Sequence, residues 1–318
     1  MKRQFLHVLG ALLVGACLTA QAQNPNTPLR VIVPYTPGGS TDVIARAVGQ
    51  KAGEILGQPV VIDNRPGGGT LIGTTALKSA APDGNTIMLA TPDLVVNAFV
   101  QPKRPYDLFK DFAPISIVAQ NPLVMTAPAS LGAHSVSDVL KLARANPGTM
   151  NFGSAGIAST AHLSGELLQL MTGVKLNHIP YKGIGPAMVD VLAGRTQLTF
   201  VSWITIQQQV EQGKLVALGI TSPKRLPSLP QIPAIAESVP GFELNVWFGF
   251  LAPGGTPPAA IKRLHDAMAE AVRAPEVRKQ LSTLAEVGAG TPEDFSRLLA
   301  SENDKWGKVV KAANIRTE

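Results

Sequence analysis

The chain has a single cysteine, Cys17, few aromatic residues and no dense run of one charge. One cysteine forms no internal disulfide, and because Cys17 lies in an N-terminal leader, the rest of the chain offers no thiol nucleophile and no thiolate metal ligand. Lysine and arginine are scattered, and aromatic residues make up only 5% of the chain, which does not fit the basic, aromatic-rich surface of a nucleic-acid-binding protein. We therefore expect no nucleic-acid partner.

Membrane spans and metal motifs are missing too. No stretch after the leader approaches the ~20 apolar residues of a spanning helix. The histidines outside the leader form no HExxH motif and no close pair, so we expect no zinc site. These histidines are His134, His162, His178 and His265.

The N-terminus has the pattern of a secretory signal. Lys2 and Arg3 precede an apolar stretch over residues 8–14, and Ala20-Gln21-Ala22 is a cleavage site of small residues. We expect residues 1–22 to be removed and the protein to be exported; a lipoprotein acylated at Cys17 is the alternative. Removal leaves 26 basic and 22 acidic residues, a net charge of +4 before the termini.

Strand and helix patterns alternate in two separate series, which predicts two α/β lobes. The first series covers residues 29–90 and the second covers 136–220, and Pro-rich or extended segments at 91–128 and 246–252 read as crossings between the lobes. We expect one lobe to contain residues 23–122 plus 250–318 and the other 123–249. Alternating strands and helices favour a parallel sheet, whose ligand crevice lies at the carboxyl ends of the strands.

The loop Pro34-Tyr35-Thr36-Pro37-Gly38-Gly39-Ser40-Thr41-Asp42 joins the first strand to the first helix. Glycines let a ligand approach the backbone, Ser40 or Thr41 can cap the helix, and Asp42 suits its first turn. A helix N-terminus presents free N–H groups and the positive end of the helix dipole, so we predict a carboxylate site here. The alternative is an ordinary strand–helix connection without a ligand.

The second series contains a loop of the same design, Gly153-Ser154-Ala155-Gly156-Ile157-Ala158-Ser159-Thr160-Ala161-His162. Two such loops, one in each lobe, predict two sets of N–H donors on opposite walls of a cleft. The loop does not match the Gly-x-Ser-x-Gly nucleophile motif, and His162 lies eight residues beyond Ser154, so a serine hydrolase is the weaker interpretation. Tyr181 follows a strand and is expected either at the cleft or half-buried in the core.

These motifs together resemble the Bug family, also called TctC-like proteins, the extracytoplasmic receptors of tripartite tricarboxylate transporters. The resemblance covers nearly the whole chain after the leader. The motifs that carry it are Val33–Asp42, Asp63–Gly69, Ala81–Gly84, Gly153–Gly156 with His162, Pro180–Gly183, Ala252–Pro257 and Trp306.

The resemblance implies a two-lobed periplasmic-binding-protein-like α/β fold (a Venus flytrap) with a βα sheet in each lobe and a ligand cleft between them. It implies a periplasmic monomer that is not an enzyme, needs no cofactor, and delivers a small organic acid to membrane transporter subunits. A receptor that presents the acid to a sensor kinase is an alternative. The expected ligand-binding residues are Tyr35, Gly38, Gly39, Ser40, Thr41, Asp42, Ser154, Ala155, Gly156, Ser159, Thr160, His162, Tyr181 and Ser202.

One departure from the family pattern bears on the ligand. Many relatives have Phe-Asp after the strand at residues 197–201, whereas this chain has Ser202 followed by Trp203. An Asp at this point would suit a ligand ammonium, and a neutral Ser would not. We therefore expect a dicarboxylate or an aromatic carboxylate in preference to an amino acid.

Overall fold

The computed structural model describes residues 27–101, 104–181, 183–282 and 284–315. The expected signal peptide and Cys17 lie outside the described residues. Within these ranges no helix combines the length and the apolar character needed to cross a bilayer, and no group of three or more potential ligand side chains is placed to hold a metal ion.

The first lobe is built on a six-stranded sheet. Its strand order is β11-β4-β10-β3-β1-β2. β1 pairs in parallel with β2 and β3, whereas β10 and β11 are antiparallel to their neighbours. The strands are β1 (Leu29–Val33), β2 (Val60–Asn64), β3 (Thr86–Ala90), β4 (Phe112–Pro122), β10 (Asn245–Pro253) and β11 (Glu286–Val287).

The second lobe is built on a five-stranded sheet in the order β7-β6-β8-β5-β9. β6 pairs in parallel with β7 and β8, and β5 is antiparallel to β8 and β9. The strands are β5 (Val124–Pro128), β6 (Asn151–Ser154), β7 (Asn177–Pro180), β8 (Leu198–Val201) and β9 (Leu215–Ile220). The two-lobed α/β fold predicted from the sequence is confirmed. The parallel arrangement that the sequence favours holds for β1–β3 and for β6–β8, whereas the other pairs are antiparallel, so both sheets are mixed.

The helices cover the sheets and bury their apolar faces. In chain order they are α1 (Ser40–Leu56), α2 (Leu71–Lys78), α3 (Asp93–Val100), α4 (Val136–Ala145), α5 (Thr160–Thr172), α6 (Ile184–Leu192), α7 (Trp203–Glu211), α8 (Pro258–Ala271), α9 (Pro275–Leu281) and α10 (Pro292–Ala312). Short 3₁₀ turns lie at Ala129–Leu131 and Ile235–Glu237. The prediction of a Pro-rich or extended crossing over 91–128 is wrong in part, because α3 forms there. The predicted return crossing at 246–252 is wrong, because these residues lie in β10 of the first sheet.

Two crossing segments connect the lobes and are hydrogen-bonded to each other. The first passes from β4 to β5 through Leu123, and the second leaves β9 at Thr221 and enters β10 after Leu244. Thr221 donates its amide to the Leu123 carbonyl (2.8 Å) and accepts the Leu123 amide on its hydroxyl (2.8 Å). The Leu244 amide donates to the Thr221 carbonyl (2.9 Å). The long C-terminal helix α10 packs on the first sheet and also contacts α5 of the second lobe.

Candidate functional site

The loop after β1 ends in a helix without a side-chain cap. α1 begins at Ser40, and its N-cap is Gly39, which has no side chain to accept the first-turn amides. The prediction that Ser40 or Thr41 caps the helix is therefore wrong. Residues 36–40 are exposed, whereas Thr41 is buried. The uncapped, exposed N-terminus of a 17-residue helix is suited to an external anion.

Asp42 supports this loop through hydrogen bonds to its carboxylate. The residue is 3% exposed, and its carboxylate accepts hydrogen bonds from the Gly38 backbone amide (3.0 Å), the Asn64 side-chain amide (2.9 Å) and Arg46 Nε (3.0 Å). Burial raises the pKa of Asp42, but the hydrogen bonds from Arg46, Gly38 and Asn64 outweigh burial and leave the pKa below its usual value. The structure thus places Asp42 as a support for the loop, with its oxygens turned to protein donors.

Tyr35 connects the loop to the neighbouring strand β3. Its hydroxyl donates to Asp93 Oδ2 (2.6 Å) and lies 2.6 Å from Thr91 Oγ1. Because β1 and β3 are parallel neighbours, residues that follow them meet at one carboxyl edge of the sheet, beside Gly38. Burial, together with the charge of Asp93, raises the pKa of Tyr35 well above 10, so the phenol stays protonated as a donor.

The second loop follows β6 and is held by its own side chains. Ser154 is fully buried, and its hydroxyl accepts the Gly156 amide (3.1 Å) and lies 3.0 Å from the Gly156 carbonyl. Ser159 caps α5: its hydroxyl accepts the His162 amide (3.4 Å) and donates to the Gly156 carbonyl (2.7 Å). Ala155 is exposed, and Gly156 and Thr160 are half-buried. This loop is therefore closed by internal hydrogen bonds, unlike the first.

Two stacked histidines lie beneath the second loop. His162 accepts the Ala158 amide on Nδ1 (3.0 Å), and its Nε2 lies 3.4 Å from Glu166 Oε1. This bond holds Ala158 at a φ of 61°, a left-handed conformation that costs about 1 kcal/mol or more for a residue with a Cβ. His178 stacks on His162, with ring centroids 3.7 Å apart and an interplanar angle of 10°.

His178 also contacts the serine of the loop. Its Nε2 lies 2.6 Å from Ser154 Oγ, and its ring stacks on Phe152 with centroids 4.9 Å apart. Burial, with a smaller contribution from the charge of His162, lowers the pKa of His178 from 6.5 to about 4. The pair of Ser154 with His162 that the weaker hydrolase interpretation would need does not form; His178, which the sequence did not single out, takes that position.

Tyr181 and Ser202 have partners of different kinds. Tyr181 follows β7 and is half-buried; its amide donates to the Ser154 carbonyl (3.1 Å) and its hydroxyl to Asp190 Oδ2 (2.7 Å). Ser202 accepts a hydrogen bond from Asn121 of β4 (3.0 Å). With Asn121, Trp203 and Gln207 it lines a cavity of about 250 Å³. None of the described residues of the two glycine loops lines that cavity.

The structure thus collects most of the predicted residues at two strand–loop–helix corners. One corner holds Tyr35 and residues 38–42, and the other holds residues 154–162 with Tyr181. Ser202 is set apart beside the first crossing segment. The sequence did not predict two residues that contact these loops, Asp93 and His178. Each comes close to its loop only through the pairing of neighbouring strands.

The chain is similar to characterised proteins over almost its whole length. A family profile described as "Tripartite tricarboxylate transporter family receptor" matches residues 44–315. BugT from Bordetella pertussis is 36% identical over 323 residues, covering 98% of this chain and 98% of BugT. The structure of an R. palustris protein with adipate is 35% identical, with a TM-score of 0.75, and covers 91% of this chain and 98% of that one. MatC from Rhodopseudomonas palustris, with bound malate, is 28% identical, with a TM-score of 0.70 over 89% of this chain and 98% of MatC. The chain therefore belongs to the TctC, or Bug, family of tripartite tricarboxylate transporter receptors.

Proposed function

We propose that this protein is a periplasmic solute-binding protein that captures a small organic carboxylate and delivers it, as a monomer, to the membrane subunits of a tripartite transporter. The observation that carries the proposal is the exposed N-terminus of α1, where Gly39 leaves the first-turn amides without a side-chain acceptor. A carboxylate supplies the missing acceptor and interacts favourably with the helix dipole. Two similar structures carry dicarboxylates, adipate in one and malate in the other.

The two lobes, one built on the six-stranded sheet and the other on the five-stranded sheet, would close on the acid about the paired crossing segments. The ligand stabilises the closed arrangement if it contacts both loops, because a ligand shifts a conformational equilibrium only by its differential affinity. We place the ligand between residues 38–42, Tyr35 and the loop of residues 154–160. Neutral Ser202 favours a dicarboxylate or an aromatic carboxylate over an amino acid.

A thermal-shift screen of mono-, di- and aromatic carboxylates tests this function. A ligand at 100 times its dissociation constant adds about 2.7 kcal/mol of stability, which shifts the melting temperature by several degrees. No shift with any carboxylate, in protein whose fold is confirmed by circular dichroism, would contradict the proposal.

Gly39→Asp places a competing carboxylate at the proposed site. The backbone at Gly39 is extended, with φ at −77°, and the nearest atom to an added Cβ is the Thr36 carbonyl oxygen at 3.9 Å, so the side chain has room. The new carboxylate would cap α1 itself, so we expect an unchanged or higher melting temperature and at least tenfold weaker binding. Gly288→Asp, at an exposed position with free space, adds the same charge elsewhere and should bind as wild type. Equal binding by both variants would remove the α1 loop from the site.

A further inference from the structure

Among the residues that the structure describes, one carboxyl group beside the first glycine loop has no cationic partner. Asp93 follows β3 and accepts the Tyr35 hydroxyl on Oδ2, so it lies at the same sheet edge as Gly38. Among the described residues, Asp93 forms no ion pair and its Oδ1 accepts no hydrogen bond. Asp93 is half-buried, and Oδ1 is not fully enclosed by the described residues. This oxygen is therefore partly open to solvent.

The surroundings of Asp93 favour an additional hydrogen-bond donor at its carboxylate. Burial raises the pKa of the Asp93 carboxyl, and the hydrogen bond from Tyr35 offsets burial only in part. A carboxylate that is largely desolvated and has no cation gains most from a new donor on its open oxygen. Tyr35 cannot be that donor, because its single proton is already directed to Oδ2.

We propose that Asp93 determines specificity: its open Oδ1 accepts a hydrogen bond from the ligand, so the site prefers carboxylic acids with a donor group next to the carboxylate. This inference rests on the proposed function, since the carboxylate itself is assigned to the α1 loop. Tyr35 is three residues from Gly38, so a group that binds Asp93 lies close to the carboxylate. A hydroxyl and an ammonium share this donor chemistry, and the experiment distinguishes them.

Two matched sets of acids test the preference in the wild-type protein. Succinate, malate and aspartate differ only in the group next to one carboxylate, as do phenylacetate, mandelate and phenylglycine. In isothermal titration at pH 7 we expect the hydroxyl or the ammonium member of at least one set to bind at least tenfold more tightly than the unsubstituted member. A preference for the hydroxyl also agrees with neutral Ser202. A preference for the ammonium supports Asp93 but overturns the proposed bias against amino acids.

Asp93→Asn then identifies the residue responsible. The amide oxygen can still accept from Tyr35, while the amide NH₂ takes the place of the open oxygen and presents a donor in place of an acceptor. We expect the tenfold preference to vanish or reverse, with binding of the unsubstituted acid within threefold of wild type. Asp266→Asn, an exposed position paired with Lys262 on α8, removes the same charge and should keep the preference.

The outcomes separate this inference from the receptor function. Equal binding within each set by wild type, or an unchanged preference in Asp93→Asn, overturns the role of Asp93 and leaves the receptor intact. Failure of all six acids to bind wild type overturns the role of Asp93 as well. Failure of the whole carboxylate screen overturns both. The comparison within wild type needs no variant, so it stands even if Asp93→Asn does not fold.

Discussion

Replacing His178 with glutamine should remove a specific part of the pH dependence of stability. In the folded chain His178 titrates at about 4, below its ordinary value of 6.5, because its ring is buried and lies against His162. Between these two pH values the unfolded chain takes up a proton that the folded chain does not. The free energy of unfolding therefore decreases as the pH falls from 6.5 towards 4, and is unaffected above 6.5.

The structure sets the size of this effect. A pKa of about 4 in place of 6.5 corresponds to at most about 3.4 kcal/mol. Because the His178 side chain is half-buried, solvent screens part of this penalty, and we expect about 1.5 kcal/mol. At pH 7.5 the variant should be less stable than wild type by about 1 kcal/mol, since it loses the stacking on His162 and Phe152.

Urea unfolding followed by circular dichroism at pH 7.5, 6.5, 5.5 and 4.5 measures both effects. The difference between wild type and His178→Gln should shrink or change sign towards pH 4.5. Titrating groups that do not contact His178 are common to both proteins and cancel in the difference. His134→Gln removes an exposed histidine outside the stacked pair and serves as the control. A constant difference between wild type and His178→Gln across this range would refute the reasoning.

Three further substitutions test the supports of the two loops and the C-terminal helix. Asp42→Ala removes the acceptor of Gly38, Asn64 and Arg46, and should lower the free energy of unfolding by about 2–3 kcal/mol in urea titrations at pH 7. Because the pKa of Asp42 is lowered in the fold, this difference should persist above pH 4 and diminish only as the carboxyl protonates in more acidic solution. Gly165→Ala places a Cβ against the Phe152 ring and should cost about 1–3 kcal/mol, seen as a lower melting temperature; an unchanged value would mean that the ring moves freely. Thr291→Ala removes the hydroxyl that caps α10 through the Asp294 amide (3.1 Å) and should cost about 1 kcal/mol in the same assay.

Much of the fold follows from local sequence patterns. The two predicted series, residues 29–90 and 136–220, contain the strands β1 to β3 and the elements from α4 to β9. Strands such as β3 and β9 are clear apolar runs, and helices such as α4 are clear amphipathic stripes between turn signals. α3 was missed because Leu94, Val95, Val96 and Val100 are all buried. A helix buried on most sides shows no polar face, and a short run rich in valine reads equally well as a strand. Because α3 was missed, the sequence did not indicate that Asp93 is the first residue of a helix.

The residues that support the loops are harder to predict, because their contacts depend on strand register. β6 pairs with β7 so that Phe152 lies opposite His178, and this pairing brings His178 to Ser154 across 24 residues of sequence. Likewise, Tyr35 and Asp93 meet only because β1 lies beside β3. A sequence that shows the order of the elements does not show which strands become neighbours, so such partners are found only once the sheet is known.

The two glycine loops look alike in sequence but differ in hydrogen bonding. At the first loop Gly39 supplies no cap. At the second loop the amides of Gly156, Ala158 and Ser159 already donate to Ser154, His162 and Gly156. The two loops therefore differ in the amides that they leave free, and the ligand site between them stays a prediction. The pattern of strand, glycine and helix predicts where a loop lies, but side chains from elsewhere in the chain decide which of its amides stay available to a ligand. We therefore propose that the first lobe supplies most of the binding energy for a carboxylate and that the second lobe closes against it.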